Sequence, residues 1–251
     1  MNIEQQLHQA LLEIRRLQQE NSYLKQLLKQ QQFKANETLV PVKPININEQ
    51  TKETILRKRV QIFKSLFRGR DDVYAVRWQS KNLKSGYIPA CALEWQKPLC
   101  QKPTIKCSQC QVRQLLPLTD EVIYRHLAGE VTIGLYPLLK DETCWFLAVD
   151  FDKRDWQKDI QAFVETCQRM KIPVSIERSR SGNGGHVWIF FSEPVSAKVA
   201  RQLGNFLLSE TLSNRYELGM DSYDRLFPNQ DTLPKGGFGN LIALPLQRGP
   251  R

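Results

Sequence analysis

The sequence predicts an α+β fold, a small sheet with helices packed on one face. Two observations carry this expectation. The first is the stretch Trp145-Phe146-Leu147-Ala148-Val149-Asp150-Phe151-Asp152, an apolar run short enough to be a buried strand. The second is the order of the segments from Trp145 to Ser213, which reads strand, helix, strand, glycine turn, strand, helix. A hydrophobic fraction of 41% over 251 residues is enough for a real core.

Taken in order, Met1 to about Gln32 reads as one long helix. Ile3, Leu7, Ala10, Ile14, Leu17, Asn21, Leu24 and Leu28 alternate between the a and d positions of about four heptads, the pattern of a coiled coil. Asn21 falls at an a position, where a polar residue fixes register. Residues 1–32 are therefore expected to self-associate or to bind a partner helix. Residues 33–50, with Pro41 and Pro44, have no helical period and form a linker. Residues 51–251 are expected to form the main folded domain.

Thr51 to Phe67 is helical, with Ile55, Val60, Phe63 and Phe67 on its apolar side. Nine Lys or Arg against three acids between Thr51 and Lys81 make either a phosphate-contacting face or a solvated one. Residues 86–118 carry Cys91, Cys100, Cys107 and Cys110 among four prolines. The Cys107-Ser108-Gln109-Cys110 knuckle lets two thiolates reach one tetrahedral Zn²⁺, and a loop-rich segment of this size needs such a staple. Cys91 and Cys100 complete the set, with His126 as an alternative to Cys91.

Asp120 to Leu127 is a short helix and Val131 to Leu139 a strand. After the Asp150/Asp152 strand, Trp156, Ile160, Phe163, Cys167 and Met170 recur at helical spacing. Strands at Val174–Glu177 and His186–Phe191 follow, then a helix from Ser196 to about Ser213 with Val199, Leu203, Phe206 and Leu207 inward. A last strand covers Asn240–Pro245. The chain stops six residues past Pro245, which suggests truncation at the C-terminus.

The net charge of +10 favours a polyanionic partner, nucleic acid first. No stretch approaches the roughly 20 apolar residues of a membrane span, and the polar N-terminus is not a signal peptide. The expectation is a cytoplasmic protein whose thiols stay reduced.

Three motifs carry chemistry. Asp150 and Asp152 point to one side of their strand, Cα atoms roughly 6.5 Å apart. Such a pair repels itself unless a cation sits between, and carboxylate oxygens suit Mg²⁺ or Mn²⁺. In Arg178-Ser179-Arg180-Ser181-Gly182-Asn183-Gly184-Gly185-His186, arginines and serines supply phosphate hydrogen bonds, and the glycines allow a backbone nest for an anion. His186 opens the next strand. Third, the stretch from Asp221 to Asp231 offers three candidate acids for a further ligand, Asp221, Asp224 and Asp231, with Asp224 preferred and Asp231 its competitor.

Together these motifs resemble the catalytic centre of archaeo-eukaryotic primases and primase-polymerases. Cys107–Cys110, Tyr136-Pro137-Leu138-Leu139, Phe146–Asp152, Ser181–His186, Tyr223–Gln230 and Gly239–Gln247 look like the primase domain of TOTE conflict systems and of CRISPR-associated primase-polymerases. The resemblance runs from about Thr51 to the end and omits the coiled coil. It implies an RRM-like catalytic palm, a zinc module and two divalent ions. The function expected is template-directed nucleotidyl transfer in a defence or conflict system, with single-stranded DNA as template and nucleoside triphosphates as substrates. Asp150, Asp152 and Asp224 would hold the ions, and His186, Arg178, Arg180 and Ser181 would grip the triphosphate. A metal-dependent nuclease would use the same carboxylates on a phosphodiester. A non-catalytic RRM-like module would need a stacking platform of aromatics, and no such pattern is present in the sequence.

Overall fold

A computed structural model describes residues 16–20, 22, 25, 49–214 and 220–249. The chain divides into two units, Met1–Lys52 and Glu53–Arg251. In the first unit, residues 16–20, 22 and 25 are helical, and Leu17 is half exposed. The other coiled-coil positions, and the expected linker up to residue 48, lie outside the described residues.

The second unit is a mixed α/β structure built on two four-stranded antiparallel sheets, where the sequence suggested one. Helix α1 (Glu49–Leu66), which lies in this unit from Glu53 on, buries Val60 and Phe63, and Phe67 just beyond it is buried too, a spacing that makes one helical stripe. Ile55, expected on that stripe, is exposed. The hairpin β1 (Ala75–Gln79) and β2 (Ser85–Pro89) follows. It leads into a loop segment whose only regular helix is a 3-10 turn at Cys107–Gln109. Helix α2 (Asp120–Ala128) starts at Thr119, whose side chain accepts from the Val122 N–H, and stops at Gly129 in the left-handed conformation, φ 89°. Such N- and C-caps satisfy the backbone groups a helix end leaves over.

Strand β3 (Ile133–Leu135) is much shorter than the Val131–Leu139 expected. Beyond it the backbone turns away, and the Tyr136 carbonyl accepts from Arg70 N at 2.9 Å. The final strand β8 (Ile242–Ala243) is also short, and it pairs with β3. The first sheet has the order β2-β1-β3-β8.

The second sheet comes from the region the apolar run announced. Strand β4 (Thr143–Asp152), helix α3 (Trp156–Arg169), β5 (Ser175–Arg178), β6 (Gly184–Ser196), helix α4 (Ala197–Ser213) and β7 (Tyr223–Phe227) follow one another. They form the sheet β5-β6-β4-β7, a β-α-β-β-α-β unit. Strand β4 lies inside it and is buried along nearly its whole length. On one face Leu147, Val149, Phe151, Val187 and Leu226 pack with Ile160 and Phe163 of α3 and Leu207 of α4. On the other, Phe146, Ala148, Trp188 and Phe227 pack with α1, α2 and the first sheet. Helix α4 turns inward part of the side expected, since Leu207 is buried and Leu203 packs against the same core. Val199 and Phe206 are exposed, while Ala200, Gly204, Leu207 and Leu208 are buried. A Cβ on Gly204 would come within 2.9 Å of Leu147 and 3.0 Å of Leu226, so the helix packs closest where its side chains are smallest.

Candidate active site

The site grows from pairing register. Residues directly opposite in an antiparallel sheet point to the same face. Glu177 of β5 pairs with His186 of β6, His186 with Asp150 of β4, and Asp150 with Arg225 of β7. One row thus crosses the sheet with the charges of its four side chains alternating. Asp152 pairs with Gly184, two residues along the same face.

Asp224 enters through an irregularity. Asp150 pairs with Arg225 and Phe151 with Tyr223, so Asp224 is an extra residue, a β-bulge. Two residues of β7 then stand opposite one of β4, and the side chain of the inserted residue is re-aimed. The carboxylate oxygens of Asp150, Asp152 and Asp224 come within 4.8 Å of one another. Among the described residues this is the only group of three or more His, Cys, Asp or Glu side chains to converge so closely. Asp231 is elsewhere, paired with Arg201.

Neighbouring side chains set the electrostatics. His186 Nε2 is 3.4 Å from Asp150 Oδ1, and His186 Nδ1 donates to Glu177 Oε2 at 2.7 Å. The Trp188 indole N–H reaches the same Glu177 oxygen at 3.3 Å. Arg225 Nε donates to Asp224 Oδ2 at 2.6 Å. Burial pushes the Asp150 carboxyl up to about 6; His186 works against that shift, and the charges of Asp152 and Asp224 add to it. For His186, burial opposes the charge, but the hydrogen bond and charge of Glu177, followed by Asp150 and Asp152, hold it above its ordinary value. Among the described residues, Asp150, Asp152, Asp224 and Glu177 pair only with His186 and Arg225, which leaves negative charge in excess. A cluster of oxygen donors carrying surplus charge fits hard divalent cations such as Mg²⁺ or Mn²⁺.

Glycines make room for this arrangement. A Cβ on Gly184 would lie 2.2 Å from Asp152 Oδ1 and 2.5 Å from the Phe151 carbonyl. In the β5–β6 turn, Gly182 has φ 79°, a conformation glycine adopts without strain. Arg178 Nε and Nη2 both donate to the Gly182 carbonyl, at 3.0 and 2.9 Å. Ser181 Oγ lies 3.1 Å from Ser179 Oγ and accepts from Asn183 N. Of the four phosphate-binding candidates, His186 adjoins the aspartates, Arg178 and Ser181 hold the turn, and Arg180 is exposed.

The cysteines occupy a different place. Cys91, Cys100, Cys107 and Cys110 all line one cavity of about 180 Å³ with Leu93, Leu99 and Val112, without converging as the aspartates do. A backbone hydrogen bond from Lys102 holds the Cys100 thiol below its ordinary pKa. His126 is not among them. It is fully buried, with Nε2 3.0 Å from the Pro245 carbonyl and Nδ1 3.2 Å from that of Val131. Burial holds its pKa down. It packs in the core and does not line the cysteine cavity. In the basic stretch, Arg57 pairs with Glu53 and Lys64 with Asp120, Arg70 is buried against Asp72, and Arg68 lies 4.2 Å over the Trp145 ring. Lys58, Arg59 and Lys81 are exposed. No helix of the described residues is long and apolar enough to cross a membrane.

Sequence reasoning missed Glu177 and strand β7. The sequence placed no strand at β7 because the bulge breaks the period-2 alternation that marks a strand.

No curated protein matches the chain. Among solved structures, it is similar to the polymerase domain from Mycobacterium tuberculosis Ligase D in complex with DNA. The TM-score is 0.45 and the identity 9%, over 80% of this chain and 77% of that one. Residues 58–251 match the family described as the TOTE conflict system, archaeo-eukaryotic primase domain. The chain therefore belongs to the archaeo-eukaryotic primase domain family of TOTE conflict systems.

Proposed function

We propose that this protein is a DNA-directed primase-polymerase that transfers nucleotides from nucleoside triphosphates onto a 3′-hydroxyl, templated by single-stranded DNA. The observation that carries the reading is the convergence of Asp150, Asp152 and Asp224 beside His186 in a chain of this family. The β5-β6-β4-β7 sheet is then an RRM-like palm. Asp150, Asp152 and Asp224 would hold two divalent ions, Mg²⁺ or Mn²⁺, whose charge lowers the pKa of an attacking 3′-hydroxyl and offsets that of a leaving pyrophosphate. His186 donates to the triphosphate and is not a general base. The Arg178–Gly185 turn presents backbone N–H groups and the Arg180 guanidinium to phosphate oxygens. Lys58, Arg59 and Lys81 contact template phosphates without reading sequence. The cysteine segment would hold one structural Zn²⁺ if Cys91, Cys100, Cys107 and Cys110, which line one cavity without converging, draw together around the ion. Residues 1–32 associate with a second copy or a partner helix, and the domain serves a defence or conflict system.

The test is primer extension with Mn²⁺, single-stranded template and labelled nucleotides. The parental protein should extend the primer, and Asp150→Ala with Asp152→Ala should abolish incorporation without lowering the melting temperature of the metal-free protein, because it removes mutually repelling carboxylates. Parental-rate extension by the double variant would show that the site is misplaced. Release of nucleotides from DNA, with triphosphates ignored, would identify a nuclease instead.

A further inference from the structure

Glu177 belongs to none of the three motifs, yet it occupies the end of the row that runs through His186 to Asp150. Its side chain is 17% exposed and that of His186 10%. A carboxylate so enclosed needs partners, because an unpaired buried charge is costly. It finds two on one oxygen: His186 Nδ1 at 2.7 Å and Trp188 Nε1 at 3.3 Å. The Trp188 ring is itself fixed, with 1% exposure and edge contacts to Phe67 and Phe146. Glu177 is thus anchored through the indole to the core between the two sheets, and it holds the imidazole from that anchor.

The consequence for His186 is geometric. An imidazole has two nitrogens and can present either after a ring flip, so the bond made by one nitrogen decides where the other points. With Nδ1 bonded to Glu177, Nε2 is the nitrogen left facing Asp150, 3.4 Å away. We propose that Glu177 is a positioning residue for nucleotide binding, which fixes the His186 ring so that Nε2 faces the side where the triphosphate lies. The inference rests on the proposed role of His186 and deepens it: the triphosphate grip is a two-residue device.

The pairing also distinguishes substitutions at Glu177. Glu177→Gln keeps an acceptor oxygen, and the two N–H groups that meet it orient the amide with that oxygen toward them. Glu177→Leu has no acceptor and leaves both N–H groups unpaired. Partners of this kind, which orient a histidine through its second nitrogen, typically matter by about 10- to 100-fold where they have been removed behind metal-bound histidines.

The experiment measures nucleotide affinity with Mn²⁺ present, single-stranded DNA affinity and melting temperature for Glu177→Gln, Glu177→Leu, His186→Ala and His186→Ala with Glu177→Leu. Glu177→Leu should weaken nucleotide binding by about tenfold with DNA affinity unchanged. Glu177→Gln should stay within about threefold of the parent, roughly 0.7 kcal/mol. Added to His186→Ala, Glu177→Leu should cost nothing further, because the two act through one contact. Full-strength additivity, or a folded Glu177→Leu protein that binds nucleotide as the parent does, overturns the inference. Loss of nucleotide affinity in His186→Ala with none in Glu177→Leu refutes the positioning role alone. An unaffected His186→Ala protein refutes the role of His186 itself. Should Glu177→Leu not fold, nitrogen NMR of the parental imidazole decides, with His186→Ala assigning the signal. A proton on Nδ1 supports the inference, and an unprotonated Nδ1 overturns it.

Discussion

Gly184 shows how little space surrounds the candidate carboxylates. It pairs with Asp152 across the sheet, and a methyl group there would sit 2.2 Å from Asp152 Oδ1. The carboxylate can swing aside, but the Phe151 carbonyl, at 2.5 Å, is backbone, so the two strands must part locally as well. Displacing a reacting group by about 1 Å can cost on the order of 100-fold. Gly184→Ala should therefore cut nucleotide incorporation by roughly that factor while leaving single-stranded DNA affinity unchanged, and paired activity and binding measurements check this. Incorporation at the parental rate would mean that Asp152 is not held as described. At this scale the sequence was legible where chemistry and local spacing coincide. Asp150 and Asp152 stand two apart on one strand, and alternation alone puts them on a common face. Glu177 was not legible, because its significance comes from cross-strand partners that only register reveals. The choice between Asp224 and Asp231 was open for the same reason. A bulge turns the one toward the cluster, and Arg201 takes the other.

Elements divide along similar lines. The strands and helices from β4 to α4 follow strong periodic signals, and each begins or ends within a few residues of expectation. Strand β3 is defined by pairing with β1 and β8, and β8 by pairing with β3, so neither can be delimited from its own residues. The inward face of α4 was read correctly at Leu203 and Leu207 but not at Val199 and Phe206, because close approach at Gly204 outweighs their bulk. The segment from 86 to 118 is the extreme case, with one short helical turn and four thiols around a cavity of about 180 Å³. Metal binding to such a segment contributes folding free energy directly. Protein purified without chelators should contain about one zinc per chain, and Cys107→Ser with Cys110→Ser should lose it and expose the segment to proteolysis. Elemental analysis that finds no zinc in the parental protein would leave the cysteines as ordinary packing residues.

For the whole molecule, the division into two sheets was beyond the reach of the sequence, since the first is assembled from a hairpin, a three-residue strand and a two-residue strand far apart in the chain. Its net charge of +10 makes the local excess of negative charge at the aspartates more conspicuous. The bulge on β7 has a consequence for how the chain matures. Two of the acids arrive together on β4, but the third arrives only when the last strand of that sheet docks beside it. A divalent ion that needs all three recognises the completed sheet and not its precursors, and a ligand selective for the folded state raises its stability. At Mn²⁺ a hundredfold above its dissociation constant the gain is about 2.7 kcal/mol, or roughly 5–10 °C in melting temperature for a domain of this size. Asp224→Ala should lose most of that shift, and calorimetry with and without Mn²⁺ measures it; an undiminished shift would place the ion elsewhere. On the proposed mechanism a chain still waiting for β7 would stay catalytically silent, and nucleotide chemistry would begin only after the sheet is complete.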